Sequence, residues 1–290
     1  VRCVAANLSI LVVGNLDCAE FRRARDSLGQ LPDTVFCPTM ESALDRLDAG
    51  DFAADWIVVA RQSPAQFPAE SLECLARRAP LARIITLLGS WCEGEVRTGH
   101  PWPGAIRIYW HQWFPRFHRE RTHIARGSCS SWGLPITATD EERFLALASE
   151  PLPALQGDVG IASDSLAMWD WLAAACRRAG LSPQRLNANA VEAAASTDDD
   201  PLRSTRLRAI VFEAADDLAA NRLAALRSLA SRFPNAPIVA LLGFPRIEDH
   251  DQAMAAGARS VVSLPTHVED LLWELARLTS REGPKLSDSP

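Results

Sequence analysis

Lysine is almost absent from this chain. Of its 30 basic residues the only lysine is Lys285, and the rest are arginines. That sets aside the phosphate-binding P-loop, the protein-kinase strand lysine and Schiff-base catalysis, all of which need a lysine in or against the core. Long apolar runs are missing too. None approaches the roughly 18 residues of a membrane helix, so no membrane association is expected. The opening VRCVAANLSI lacks the apolar core and cleavage site of a signal peptide, and no leader is expected. The seven cysteines (Cys3, Cys18, Cys37, Cys74, Cys92, Cys129 and Cys176) are odd in number and contain no C-x-x-C. This is the pattern of reduced thiols in a cytoplasmic protein, not of a disulfide frame or a zinc site. No G-x-S-x-G turn is present and no G-x-G-x-x-G follows a first strand, so neither that serine nucleophile nor a dinucleotide cofactor is expected. A basic stripe is lacking as well. Residues 1–125 carry 14 bases and 14 acids, and residues 158–290 carry 14 and 18. Nucleic acid is not an expected partner.

What is present is a repeat. ITLLGSW at 85–91 returns as VALLGFP at 239–245, and a repeat of this length sets the domain count. In the second half, apolar runs at Val159–Ser163, Arg208–Glu213, Pro237–Leu242 and Ser260–Leu264 read as buried strands. Helical patterns separate them at Leu166–Arg178, Leu218–Arg232 and Glu248–Ala256, with Gly180 and Gly257 as stops. Thr266 and Glu269 read as a capping box for a last helix running to about Ser280. The first half repeats the order with strands at Ile10–Val13, Trp56–Ala60, Ile84–Leu88 and Ile106–Trp110, and with Asp17 and Glu20 as caps of its first helix. Strands alternating with helices of this length predict parallel sheets covered on both faces. The expected organisation is a domain over 8–125, a linker with one short helix over 126–157, a second domain over 158–280, and a disordered tail over 281–290.

Strand order, spacing and the phrase AMAAGARSVVSLP resemble the receiver domain of two-component response regulators. The resemblance implies two tandem flavodoxin-like domains of the α/β class, each a five-stranded parallel sheet with helices on both faces. It also implies a site: two acids after the first strand for Mg²⁺, an Asp ending the third strand as phosphoacceptor, a hydroxyl residue ending the fourth, and a Lys before a cis-proline ending the fifth. In the second half those positions read Ser163 and Asp164, Glu213, Leu242, and Leu264 with Pro265. In the first they read Gly14 and Asn15, Ala60, Leu88, and His111 with Gln112 where the proline stands. Phosphotransfer is not expected from either half. The Leu264–Pro265 peptide is expected to be cis on the resemblance alone.

Several residues admit two readings. Glu213 is an anion where a phosphoaspartate would stand, or a polar residue that merely meets solvent or Asp164. Asp164 and Glu213 form a weak cation site, or no metal site at all. The aromatic and basic stretch 108–126 fills space left by a missing fourth helix, or offers stacking platforms to nucleic acid. Its three histidines, His111, His118 and His123, are spaced wrongly for one metal. Leu166, Trp169, Ala173 and Cys176 follow core spacing on their helix, which points Trp171 outward. Trp273 likewise points away from the stripe Val268, Leu271, Leu272 and Leu275. Trp171 and Trp273 are therefore candidates for an interface, or surface aromatics lying on their own helices. The expected function is a phosphorylation-independent signalling module acting by protein–protein contact, a second copy of itself included, and not an enzyme. The alternative is a two-domain enzyme or small-ligand binder with a site in the cleft between domains.

Overall fold

A computed structural model describes residues 8–99, 101–128, 130–187, 206–214 and 218–280. The expected tail at 281–290, Cys3 and Cys129 lie outside the described residues. The chain divides into two compact units, Val1–Glu150 and Pro151–Pro290.

Unit one runs β1 (Ile10–Val13), α1 (Arg22–Gly29), β2 (Thr34–Cys37), α2 (Met40–Asp48), β3 (Trp56–Arg61), α3 (Glu70–Arg78), β4 (Arg83–Leu88), α4 (Glu95–Thr98), β5 (Ile106–Tyr109), α5 (Trp110–Ala125) and α6 (Asp140–Ala148). Unit two runs β6 (Gly157–Ala162), α7 (Leu166–Arg178), β7 (Leu181–Leu186), β8 (Ala209–Ala214), α8 (Ala220–Arg232), β9 (Ile238–Gly243), α9 (Ile247–Ala255), β10 (Ser260–Leu264) and α10 (Val268–Thr279). Both sheets are five-stranded, ordered β2-β1-β3-β4-β5 and β10-β9-β8-β6-β7, and every pairing is parallel. Read from β2 in unit one and from β7 in unit two, that is the flavodoxin-like order.

The central strands are apolar throughout because helices cover both their faces. In unit two, α7 and α10 share one core with Val159, Ile161, Val211 and Leu241. The opposite face carries α8 and α9 on Ile210, Phe212, Ile238 and Ala240. The sequence pattern does not single out the edge strands β2 and β7, because they are only half covered: β7 buries only Leu181 and Leu186. Gly180 has φ +90°, and a Cβ there would collide with the Leu155 carbonyl, so only glycine makes this turn.

Several local expectations change. Leu166 is exposed, and α7 turns Leu172, Ala173, Ala175 and Cys176 inward. Neither expected acid cap forms at the first helix. Asp17 pairs with Arg25 at 2.5 Å and Glu20 reaches Ser90 instead. At α10 the cap residue is His267, whose side chain does not cap the helix, and the Thr266 hydroxyl donates to the His267 carbonyl.

The segment expected as a linker is, over its first 25 residues, part of unit one. Trp132 is buried with its ring 4.9 Å from Trp56 and 6.3 Å from Trp113. Trp110, Trp113 and Phe117 are buried and Trp113 stacks on Phe117, so these aromatics of 108–126 pack in the core; the fourth helix is reduced to a single turn. A buried polar network closes the same joint. Arg119 and Ser131 both donate to Glu120 Oε1, at 2.8 and 3.1 Å, and Ser130 donates to Glu120 Oε2. Glu150 accepts from the Ser131 amide at 2.9 Å and lies 3.2 Å from His123 Nε2. Composition rich in Ser, Gly and Pro suggests a linker, but Ser131 is buried, Ser130 half-buried, and both are hydrogen-bonded.

Two outcomes follow from this joint. Trp132→Ala should cost unit one about 3–5 kcal/mol, the usual loss for a buried tryptophan, while the unfolding of unit two stays in place; denaturant unfolding followed by residue-resolved hydrogen exchange separates the two. Burial pushes the His123 imidazole below its usual value, outweighing the pull of Glu120. The unfolded chain then takes up the proton more readily, so unit one should lose stability as pH falls through about 6.5. His123→Gln should flatten that slope in unfolding measured from about pH 7 to pH 5.

Candidate functional site

In an open parallel sheet polar chemistry gathers at the carboxyl ends of the strands. In unit one, Gly14 and Asn15 follow β1, and Ala60, fully buried, precedes the last residue of β3. Leu88 ends β4 in the core. No oxygen nucleophile exists at 60. Glu20, from the turn before α1, reaches over this mouth. Its Oε2 accepts from the Ser90 amide at 3.2 Å and would lie 2.8 Å from a Cβ at Gly89. Trp110 Nε1 donates to the Ser90 hydroxyl at 3.0 Å, pinning the same turn.

Pairing register corrects one assignment. Glu213 faces Leu241 and Ala60 faces Leu87, so Leu88 corresponds to Leu242. Leu88 faces Tyr109 and Leu242 faces Ser263, so the position matching Leu264 is Trp110, and His111 matches Pro265. The strand ends one residue sooner than its apolar pattern suggests, because Trp110 already opens α5. His111 is buried, stacked on Tyr109 at 5.7 Å, with Glu93 Oε1 3.5 Å from its Nε2.

Beside this mouth lies a buried ion cluster that the sequence reading misses. Arg61 Nη2 donates to Glu95 Oε1 at 2.9 Å and to the Pro64 carbonyl at 2.6 Å, and its guanidinium lies 4.8 Å from the Trp102 ring centroid. Arg107 Nη2 reaches the other Glu95 oxygen at 3.2 Å. An arginine ending an otherwise apolar strand is the one signal that marks it. A groove of about 1070 Å³ opens on the other side, past Gly14 and Asn15 toward the exposed Phe36 and the Asp17–Arg25 pair.

In unit two the mouth keeps its polar residues but pairs them internally. The Ser163 hydroxyl stands 2.9 Å from Glu213 Oε2 and 3.0 Å from the Ser165 carbonyl, and accepts from the Ser165 amide. Asp164 is joined at 2.8 Å by Arg222, which also donates to the Glu213 main-chain carbonyl. Asp164 therefore meets a guanidinium and Glu213 a hydroxyl, whereas a shared cation was one of the two readings of these acids. Leu242 is buried, Leu264 half-buried, and the Leu264–Pro265 peptide is cis. Phe244, in the repeated LLG turn, is exposed at φ +41°, the single non-glycine residue with positive φ among those described. Trp171 is 36% exposed but Trp273 only 5%, so the expected pair of outward tryptophans is not formed.

Other chemistry finds little support. Burial pushes the thiols of Cys92 and Cys176 up to about 11, which leaves neither as a thiolate at neutral pH. Among the described residues no group of three or more His, Cys, Asp or Glu is placed to hold a metal, and no helix is long and apolar enough to cross a membrane.

Because Arg61 and Glu95 are both almost fully buried, removing one strands the other. Glu95→Ala should destabilise unit one by about 3–5 kcal/mol; a loss below about 1 kcal/mol in chemical denaturation would place the pair among weak surface bridges instead.

No family's sequence profile matches the chain, and no curated protein does. Solved structures do. A response regulator from Thermotoga maritima is 15% identical and matches 43% of this chain and 98% of its own, with a TM-score of 0.37. Chemotaxis protein CheY4 of Vibrio cholerae is 17% identical over 43% and 99%, at 0.35. NtrX from Brucella abortus is 19% identical over 43% of this chain at 0.36, and the match spans only 28% of NtrX. The chain is thus similar to response regulators, and its two parallel sheets have the strand order of receiver-type, flavodoxin-like domains.

Proposed function

We propose that this chain is a phosphorylation-independent regulatory module, two degenerate receiver-like units that act by contact with another protein. One observation carries the reading: neither third strand ends in a usable acceptor. Ala60 has no side-chain oxygen, and the Glu213 carboxylate is already bonded to Ser163. The residues that would respond to a phosphoryl group are missing with it. Leucines stand at 88 and 242, and neither Leu264 nor Trp110 carries the positive charge of a lysine. Glu213 carries about one negative charge against nearly two on a phosphate, and with Ser163 already engaging it, it serves as a fixed polar group and not as a mimic.

The partner is a protein, a second copy of the chain included, met in the cytoplasm. Nothing in the mouths asks for a cofactor or a catalytic cycle. The reading is tested by incubating the full chain with acetyl phosphate and with a histidine kinase, then taking its intact mass. The mass should not change. A phosphate increment on either unit, acid-stable or not, would overturn the reading for that unit.

A further inference from the structure

Arg222 stands in a place that helix energetics disfavour. It is the third residue of α8, whose first turn carries no acid. The amino end of a helix carries partial positive charge, so a cation there gains nothing from the dipole and loses a few tenths of a kcal/mol or more. Its contacts explain the position. One guanidinium nitrogen holds Asp164 Oδ2 at 2.8 Å, the other donates to the Glu213 main-chain carbonyl, and the plane lies over Phe212 with its centre 4.7 Å from the ring centroid. The side chain is 12% exposed, whereas that of Asp164 is 57% exposed. Three independent contacts thus converge on one buried fork at the mouth of the sheet.

A divalent cation does not fit the same residues. Mg²⁺ wants near-octahedral oxygen coordination with at least one or two carboxylates. Here the Asp164 oxygen and the Glu213 carbonyl are taken by the guanidinium, and Glu213 Oε2 is taken by Ser163. The position before Asp164 supplies a hydroxyl in place of a second acid. Two acids at neighbouring strand ends still need a counter-charge. A guanidinium supplies it permanently, since it never loses its proton, and its planar fork spans two acceptors at once.

We infer that Arg222 is a tethered cation that closes the Asp164–Glu213 mouth of unit two to divalent metal. The charge balance at this mouth then does not vary with metal concentration, and unit two keeps one arrangement whatever the metal supply. The inference rests on the reading of unit two as a receiver-like unit.

The test uses Mn²⁺ as the probe on the full chain, followed by water-proton relaxation. Wild type should show only weak, non-specific binding. Arg222→Met should bind Mn²⁺ about tenfold tighter or more, and adding Asp164→Asn should abolish the gain. A folded Arg222→Met that binds no tighter than wild type, or wild type that binds as tightly as the variant, overturns the inference. Should Arg222→Met fail to fold, wild type decides by paramagnetic broadening of amide signals. Ser163, Asp164 and Glu213 should broaden no more than the exposed acid Asp51; selective broadening at the three overturns it. No phosphodonor is present in this experiment, so phosphate uptake would sink the functional reading and leave the Mn²⁺ result standing.

Discussion

A parallel sheet covered by helices on both faces has no room for charge along its strands. β1, β3 and β4, like β6, β8 and β9, bury nearly all their side chains, and an unpaired polar group among them would cost several kcal/mol. Polar residues are driven to the carboxyl ends, where helix starts and main-chain groups can receive them. The charged groups of both strand mouths sit at that boundary. Arg61 ends β3 and is neutralised by Glu95; Glu213, next to last in β8, is met by Ser163. Glu20, from the turn before α1, and Arg222, from α8, finish the two mouths.

The near-absence of lysine belongs to the same picture. Arg61, Arg119 and Arg222 are all largely buried, and each engages a carboxylate. Arg61 and Arg222 reach a main-chain carbonyl as well. A planar fork with several donors manages that with little loss of rotamer freedom per bond. An ammonium is a compact, strongly hydrated point charge that does not span both acceptors in the same way. Buried arginines of this kind fix geometry more than they add stability, since desolvation offsets much of the attraction. Arg61 and Arg222 hold the two mouths in one arrangement.

The joint around Trp132 shows the same economy in unit one. The shrunken fourth helix leaves a gap on the sheet, and Trp102, packed with the α2 and α3 side chains, takes part of it. On the other face Trp113 reaches Ser27 of α1 at 3.0 Å and meets Trp132 from the following segment. Burying Trp132 brings Ser130, Ser131 and Glu150 against α5, where Glu120 and Arg119 satisfy their polar groups. Apolar burial drives the docking, and the hydrogen bonds fix its register.

The alternation of apolar strands and helices determined the fold by itself, because a buried parallel strand has to be apolar on both faces and the pattern is local. The loss of acceptor, hydroxyl and lysine was equally plain, since Ala60, Leu88, Leu242 and Leu264 are identities that no folding changes. The edge strands β2 and β7 were not singled out, for their half-exposed sequence looks like any polar segment. Nor was the place of His111, because a tryptophan that could end a strand instead opens a helix, and pairing with β4 decides between them. Arg222 and Glu20 lie 58 and 70 residues from the groups they meet, Asp164 and Ser90. Which acid finds which base over such separations depends on how the strand ends converge. That is a property of the closed sheet, and only the tertiary structure decided it.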